Sequence, residues 1–213
     1  MAMSLKDQNK LPLVAMAVGN LAIFLLLVHG DPLQIGSWAS TARALQSAVP
    51  AGIALMLIGI VNAQLSSDTK ARIVFGRWHH PLPGAEAFSR YAKQDDRIDF
   101  AALERLFGPF PRAPREQSAL WYRLYQTVGE APSVRQVHRE YLFTRDYACI
   151  AFMLVFVFGP IGCFKISPTT TMLTYWGLLI VQFILVMRAA RAHGRRFVTT
   201  VLALKAAGRE RKK

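Results

Sequence analysis

APSVRQVHREYLFTRDYACIAFMLVFVFGPIGCF, Ala131 to Phe164, joins two kinds of chain in one piece. The first half mixes charged and apolar residues. The second half, from Tyr147 onward, contains no Asp, Glu, Lys or Arg. Ser133 and Gln136 fit the capping box S-x-x-Q, which marks a helix start. No breaker follows before the apolar run. One continuous helix is therefore predicted from Val134 into that run, so that a displacement at Val137 or Tyr141 is carried rigidly along it.

Three other runs share the character of Tyr147–Phe164. They are Leu11 to Gly30, Ala48 to Leu65 and Met172 to Met187, and none contains an Asp, Glu, Lys or Arg. A membrane span needs about 20 mostly apolar residues, with about 17 as the lower end. Buried helices of a soluble domain would instead show polar faces at helical spacing. The fold class expected is an all-α membrane protein with four transmembrane helices in two hairpins. Lys6 and Lys10 precede the first run in the manner of a signal peptide. The run is long and no small-residue cleavage site follows it, so a retained anchor is expected.

Basic residues set the expected topology. Two precede Leu11, one lies in the 30–47 loop, thirteen in 66–146, one in 165–171 and nine from Arg188 onward. The positive-inside rule places both termini and the middle segment in the cytoplasm, with short hairpin loops outside. Four parts follow: a first hairpin at 1–66, a helical cytosolic insert at 67–146, a second hairpin at 147–187 and a basic tail at 188–213.

The net charge of +13 and the pI near 10.4 raise the question of nucleic acid. The charge is not spread evenly. Thirteen basic and ten acidic residues leave the insert at +3, whereas nine basic residues and one acidic put +8 on the tail. No aromatic stacking platform accompanies the tail, which argues against nucleic acid. Phe197, Val198, Val201, Leu202 and Leu204 make the tail an amphipathic helix expected to lie on the inner leaflet. Arg188, Arg191, Arg195 and Arg196 would meet anionic headgroups there, at about 1 kcal/mol each.

Within the insert, IDFAALERLFG predicts a short helix capped by Asp99 and stopped by Gly108. PFPRAP predicts an extended linker. PREQSALWYRLYQTVG predicts a helix from Pro114 to a C-cap at Gly129, with Leu120, Trp121, Leu124, Tyr125 and Val128 as its apolar stripe. The exit from the second span, QLSSDTKARIVFGRW, is also expected to be helical. Two such stems would hold the insert close to the membrane.

VFGRWHHPLPGAEAFS, Val74 to Ser89, has the look of a site. Its reading is a membrane-proximal corner: Pro81, Pro83 and Gly84 redirect the chain, and Trp78 is an interfacial aromatic. His79 and His80 could join His138 or His193 around zinc, but C-x-x-C, H-x-x-x-H and H-E-x-x-H are all absent, so no metal is expected. Asp95, Asp96 and Asp99 read as a turn and a helix cap rather than a cation site. Arg72–His79 and Arg188–His193 approach the R-x4-6-H spacing of small nucleases at the rate chance supplies. No phosphate-binding glycine loop and no G-x-S-x-G occurs, so no catalytic residue and no cofactor is assigned. Cys149 and Cys163 sit roughly 21 Å apart on one helix, too far to bridge, and read as buried small residues. In the apolar runs, Asn20, Asn62 and Gln182 seek partners across helix interfaces, as structural glue or as the lining of a polar path. Ala48, Ala51, Gly52 and Gly59 mark a close-packing face. Gly159, Pro160 and Gly162 are expected to break or kink the third span.

The insert's RWHHPLPGAEAF, DDRIDFAALERLFG and EQSALWYRLY, over roughly residues 70–150, resemble small four-span inner-membrane proteins of bacteria, including membrane effectors of antiphage systems. The resemblance implies a bacterial inner-membrane location and transfers no catalytic residue. The expected function is non-enzymatic. The insert receives a cytosolic signal or protein partner through Trp78, His79, His80, Trp121, Tyr125 and Tyr141, and acts on a homo-oligomeric bundle. The alternative is a scaffold for docking, exclusion or secretion assembly that recruits a cytosolic protein.

Overall fold

The computed structural model describes residues 4–29 and 38–207. Its elements are α1 (Leu5–His29), α2 (Trp38–Gln64), α3 (Ser67–Phe75), α4 (Phe100–Phe107), α5 (Pro114–Val128), α6 (Pro132–Lys165) and α7 (Thr169–Ala207). Short 3-10 and π turns fill Pro83 to Gln94, and no strand occurs among the described residues. Three helices, α1, α6 and α7, are long and apolar enough to cross a membrane, and a fourth span results if the bent pair α2–α3 is one. The chain is all-helical, with the apolar helices of a membrane-embedded protein.

The 34-residue α6 is the axis. In its apolar window 56% of residues are buried, against 6% in α1 and 11% in α7. The outer helices thus turn apolar surface outward, as lipid permits. Phe24 of α1 meets Phe158 of α6 edge-on at 5.1 Å and Tyr175 of α7 at 5.9 Å, with Ala51 and Ile58 of α2 in the same cluster. Gly159 is required by a close approach, because any Cβ there would run into the indole of Trp176. The helix continues through Gly159, Pro160 and Gly162 to Lys165, so the expected break does not occur. A proline costs one backbone bond, which one turn of a 34-residue helix tolerates.

A second core lies in the insert. Phe88, Leu103, Trp121, Leu124, Val134, Val137 and Tyr141 are buried there together with Phe197, Val198, Val201 and Leu202 of α7. The expectation of a separate amphipathic tail on the leaflet is corrected here. No proline ends α7 after Met187, so the helix runs straight on and packs these residues, with Leu204 partly buried beside them, against the insert. Each fully buried side chain contributes about 1.5–3 kcal/mol. Helices α6 and α7 cross the 146/147 and 187/188 boundaries without interruption. Arg209 and Arg211 fall outside the described residues.

Local signals explain most of the remaining elements. Asp99 caps α4 by accepting from the Ala102 amide at 2.8 Å, and Gly108 ends it at φ 78°. Pro114 starts α5. The capping box at Ser133 is not used: α6 begins two residues earlier than predicted, at Pro132, with Ala131 extended before it and no side-chain cap. Proline fixes its own φ for a first turn and forces its predecessor out of the helical region. Gly129 follows α5 in the right-handed region rather than as a left-handed cap. The exit from α2 is not one stem but two helices at 106°, because Ser66 caps a fresh helix through the Thr69 amide at 3.1 Å.

Candidate functional site: a cationic aromatic cavity

A cavity of about 960 Å³ opens between the N-terminal turns of α1 and α3, the 78–85 loop, α5 and α6. The loop is held at both ends. Arg77 pairs with Glu86 at 3.0 Å. Gly84 lies so close to α5 that a Cβ would sit 3.0 Å from the Trp121 ring and 3.3 Å from Ser118 Oγ. Buried Gln117 of α5 then accepts from the amides of Phe88 and Ser89 at 3.1 and 3.0 Å and donates to the Arg112 carbonyl at 3.0 Å. These two amides open the π turn and have no partner within it. Pro81 and Pro83 are buried, while Trp78, 80% exposed, stands on the rim with His79 and His80.

One wall is aromatic. Trp121 stacks on Tyr125 at 5.7 Å, and Phe197 lies edge-on to Trp121 and flat on His138 at 4.5 Å. The Tyr125 hydroxyl is 3.2 Å from His138 Nδ1. Burial, with the Arg145 charge second, lowers the His138 pKa to about 4, so the ring is neutral near pH 7.

The floor is formed by α6. Arg145 is 4% exposed, and its guanidinium lies 5.7 Å from the centre of the Tyr141 ring. The Tyr141 hydroxyl is buried and has no hydrogen-bond partner among the described residues. Burial pushes its pKa up to about 12, with Arg145 opposing. Behind the floor, Asp146 accepts two cations. Lys70 of α3 reaches it at 3.1 Å and Arg145 at 2.9 Å, and both cations are withdrawn from water. The cluster retains one uncompensated positive charge. Around the cavity, Lys6, Arg72, Arg115 and Arg145 face a single carboxylate, Asp68.

All six insert residues named from sequence, Trp78, His79, His80, Trp121, Tyr125 and Tyr141, line this one cavity. Sequence reading overlooked Arg115 and Arg145, and took Arg72 only as half of a chance nuclease-like spacing with His79. His138, Tyr141, Leu142 and Arg145 do fall at helical spacing on one face, and that signal was available. The intramembrane amides do not converge. Asn20 bonds back to the Met16 carbonyl of its own helix at 2.9 Å, Asn62 is buried with its Oδ1 unpartnered, and only Gln182 bonds across helices, to the Tyr147 hydroxyl. Arg191 is exposed, and its Nε donates to the Val74 carbonyl at the end of α3, where Gly76 turns at φ 67°. Arg188, Arg195 and Arg196 are exposed, and Arg196 lies 3.9 Å from Glu140. Cys149 is buried, but Cys163 is exposed, contrary to expectation. Asp95 is bound by Arg97, which holds its carboxyl well below the usual carboxylate range. No group of three metal-ligating side chains forms among the described residues.

The arrangement sets one phenol, Tyr125, beside an imidazole, His138. It offers flat surfaces, imidazoles and a surplus of cations. No family model matches the chain, and no curated protein and no solved structure matches it.

Proposed function

We propose that the chain is a non-enzymatic effector of the bacterial inner membrane. Its four spans are α1, α2, α6 and α7, and its insert and both termini face the cytoplasm. Occupancy of the cavity by a cytosolic signal is passed along α6 to a homo-oligomeric bundle and changes its permeability. The observation that carries this reading is the continuity of α6. Tyr141 and Arg145 line the cavity, and the same helix reaches Phe158 and Gly162 in the apolar bundle without a break. The positive-inside distribution supports the orientation. Gly52 and Gly59 of α2 have nothing within 4 Å of an added Cβ and would admit a second copy. Antiphage defence is the setting that the quoted resemblance favours.

A helix transmits displacement only while stiff. Phe143 and Thr144, half-buried at the joint, can both be replaced by glycine without altering register, at about 1 kcal/mol each in helix propensity and more at Phe143, whose ring stacks on Tyr147. Bacteria producing the parent chain should show a depolarised membrane by potential-sensitive dye, and cells producing the double-glycine variant at equal level should not. Equal potentials in both and in control cells would favour the second reading, a docking scaffold. Exposed Trp78 on the cavity rim supplies the anchor that reading needs.

A further inference from the structure

We infer that the cavity is a binding site for a phosphate ester, with the phosphate group seated against Arg145 and Tyr141 and the remainder against the aromatic wall. The inference rests on the proposed signal-binding role and names its chemistry.

Three independent observations point the same way. The first is the charge behind the floor. Lys70 and Arg145 share one carboxylate, Asp146, and both cations are buried. A buried cation without its counter-charge is costly, and an anion in the cavity would complete the set. The second is Tyr141, whose hydroxyl is buried and makes no well-formed hydrogen bond among the described residues, although the Arg145 guanidinium approaches it. A buried polar group is ordinarily satisfied, so an orphan lining a cavity marks where a ligand atom belongs. The third is the rim, where Arg72 and Arg115 are exposed and neither forms an ion pair among the described residues. Guanidinium groups offer the paired donors that phosphate oxygens accept. Asp68 on the same rim opposes an anion, but it is one charge against four.

A phosphate ester could arrive as a soluble molecule or as a lipid headgroup, since Ser4, Leu5 and Lys6 at the start of apolar α1 also line the cavity. Full-length chain in nanodiscs of a galactolipid, which carries no phosphate, would be titrated with AMP and with adenosine, following Trp fluorescence and calorimetry. A parallel sample would carry phosphatidylglycerol in place of part of the galactolipid. The expected result is a saturable signal with AMP and none with adenosine, or else occupancy already satisfied in phosphatidylglycerol discs and seen as loss of AMP binding. The first outcome assigns a soluble ester and the second a headgroup. Arg72→Gln and Arg115→Gln, both on exposed side chains, should each weaken binding by about tenfold. Tyr141→Phe should weaken binding while leaving the empty protein as stable as the parent or more so, because it removes an unsatisfied hydroxyl. Absence of AMP binding in both disc types, together with unchanged stability on adding phosphatidylglycerol, would overturn the inference. Equal affinity for adenosine and AMP would also overturn it. Depolarisation that persists without phosphate binding would sink this inference alone. Phosphate binding without depolarisation would leave it standing and remove the effector reading.

Discussion

Lys70 Nζ lies 3.1 Å from Asp146 Oδ1, and the same oxygen accepts from Arg145 at 2.9 Å. One carboxylate thus fastens the short helix α3 to the long helix α6 at the level where the insert meets the apolar bundle. Ala148, Val74 and Ala190 pack immediately beside it, which brings α7 into the same joint.

The two ends of this ion pair are not equivalent. Asp146→Asn leaves two buried cations unpaired and should cost about 3–5 kcal/mol. Lys70→Met leaves the neutral Arg145–Asp146 pair intact and should cost clearly less. Chemical denaturation of the two variants in mild detergent measures the difference, and equal losses would refute the shared-carboxylate account.

Gln117 should be sensitive to a near-isosteric change. Gln117→Leu strands the buried Phe88 amide and the neighbouring Ser89 amide, each at about 1–3 kcal/mol. The insert should lose roughly 2–4 kcal/mol, read as earlier loss of Trp121 fluorescence on heating, while apolar helix content is retained. A melting curve like the parent's would exclude this role.

Gly194 of α7 lies so close to its neighbours that a Cβ would fall 2.9 Å from Phe75 Cζ and 3.1 Å from Tyr141 Cε2. Gly194→Ala should destabilise by about 1–3 kcal/mol through overpacking. Adding Phe75→Leu removes the nearest atom and should recover part of that loss. If the double variant is no better than the single, the contact is not the cause.

His138 gives the insert a pH dependence of definite sign. Its folded pKa of about 4 lies below the ordinary 6.5 because of burial and then Arg145. Between those values the unfolded chain binds a proton that the folded chain refuses. Stability should therefore fall as pH falls from about 6.5 to about 4, and this contribution should level off below. His138→Gln removes it, so the difference in melting temperature between parent and variant should narrow or change sign over that window. A pH-independent difference would contradict the burial of a neutral ring.

Topology is open to direct chemistry. With Cys149 and Cys163 replaced, single cysteines at Ser67, Ser118 and Ser133 should resist an impermeant thiol reagent in intact cells. A cysteine at Ser37, outside the described residues, should react. External labelling at Ser118 would reverse the proposed orientation.

Local chemistry was legible wherever it decided the element. Asp99, Gly108 and Pro114 announced their helix ends, and the breaker-free run into Tyr147 announced α6. The bend between α2 and α3 was missed because hydrophobicity ran smoothly up to Leu65, although Ser66 and Asp68 carried a helix-start signal. The tail was misread because its charge drew the eye to lipid. Phe197, Val198, Val201 and Leu202 do share a face, but a stripe does not name what covers it. Gln117 and the Lys70–Asp146 pair depend on contacts far apart in sequence, which no local pattern encodes. The cavity was half legible: its aromatic and imidazole residues were singled out, while the arginines that give it its sign looked like ordinary surface charge.

The return of α7 to the insert has a consequence for how the molecule is made. Phe197, Val198, Val201 and Leu202 complete a core whose other walls leave the ribosome much earlier. Until α6 and the apolar half of α7 have been synthesised, Trp121 lacks the Phe197 ring and the Val198 carbonyl that it meets in the finished core. The nascent insert therefore lacks one wall of its core until the last helix has been made. A chain halted before Phe197 would carry every apolar run and still present an unfinished interior to proteases and chaperones.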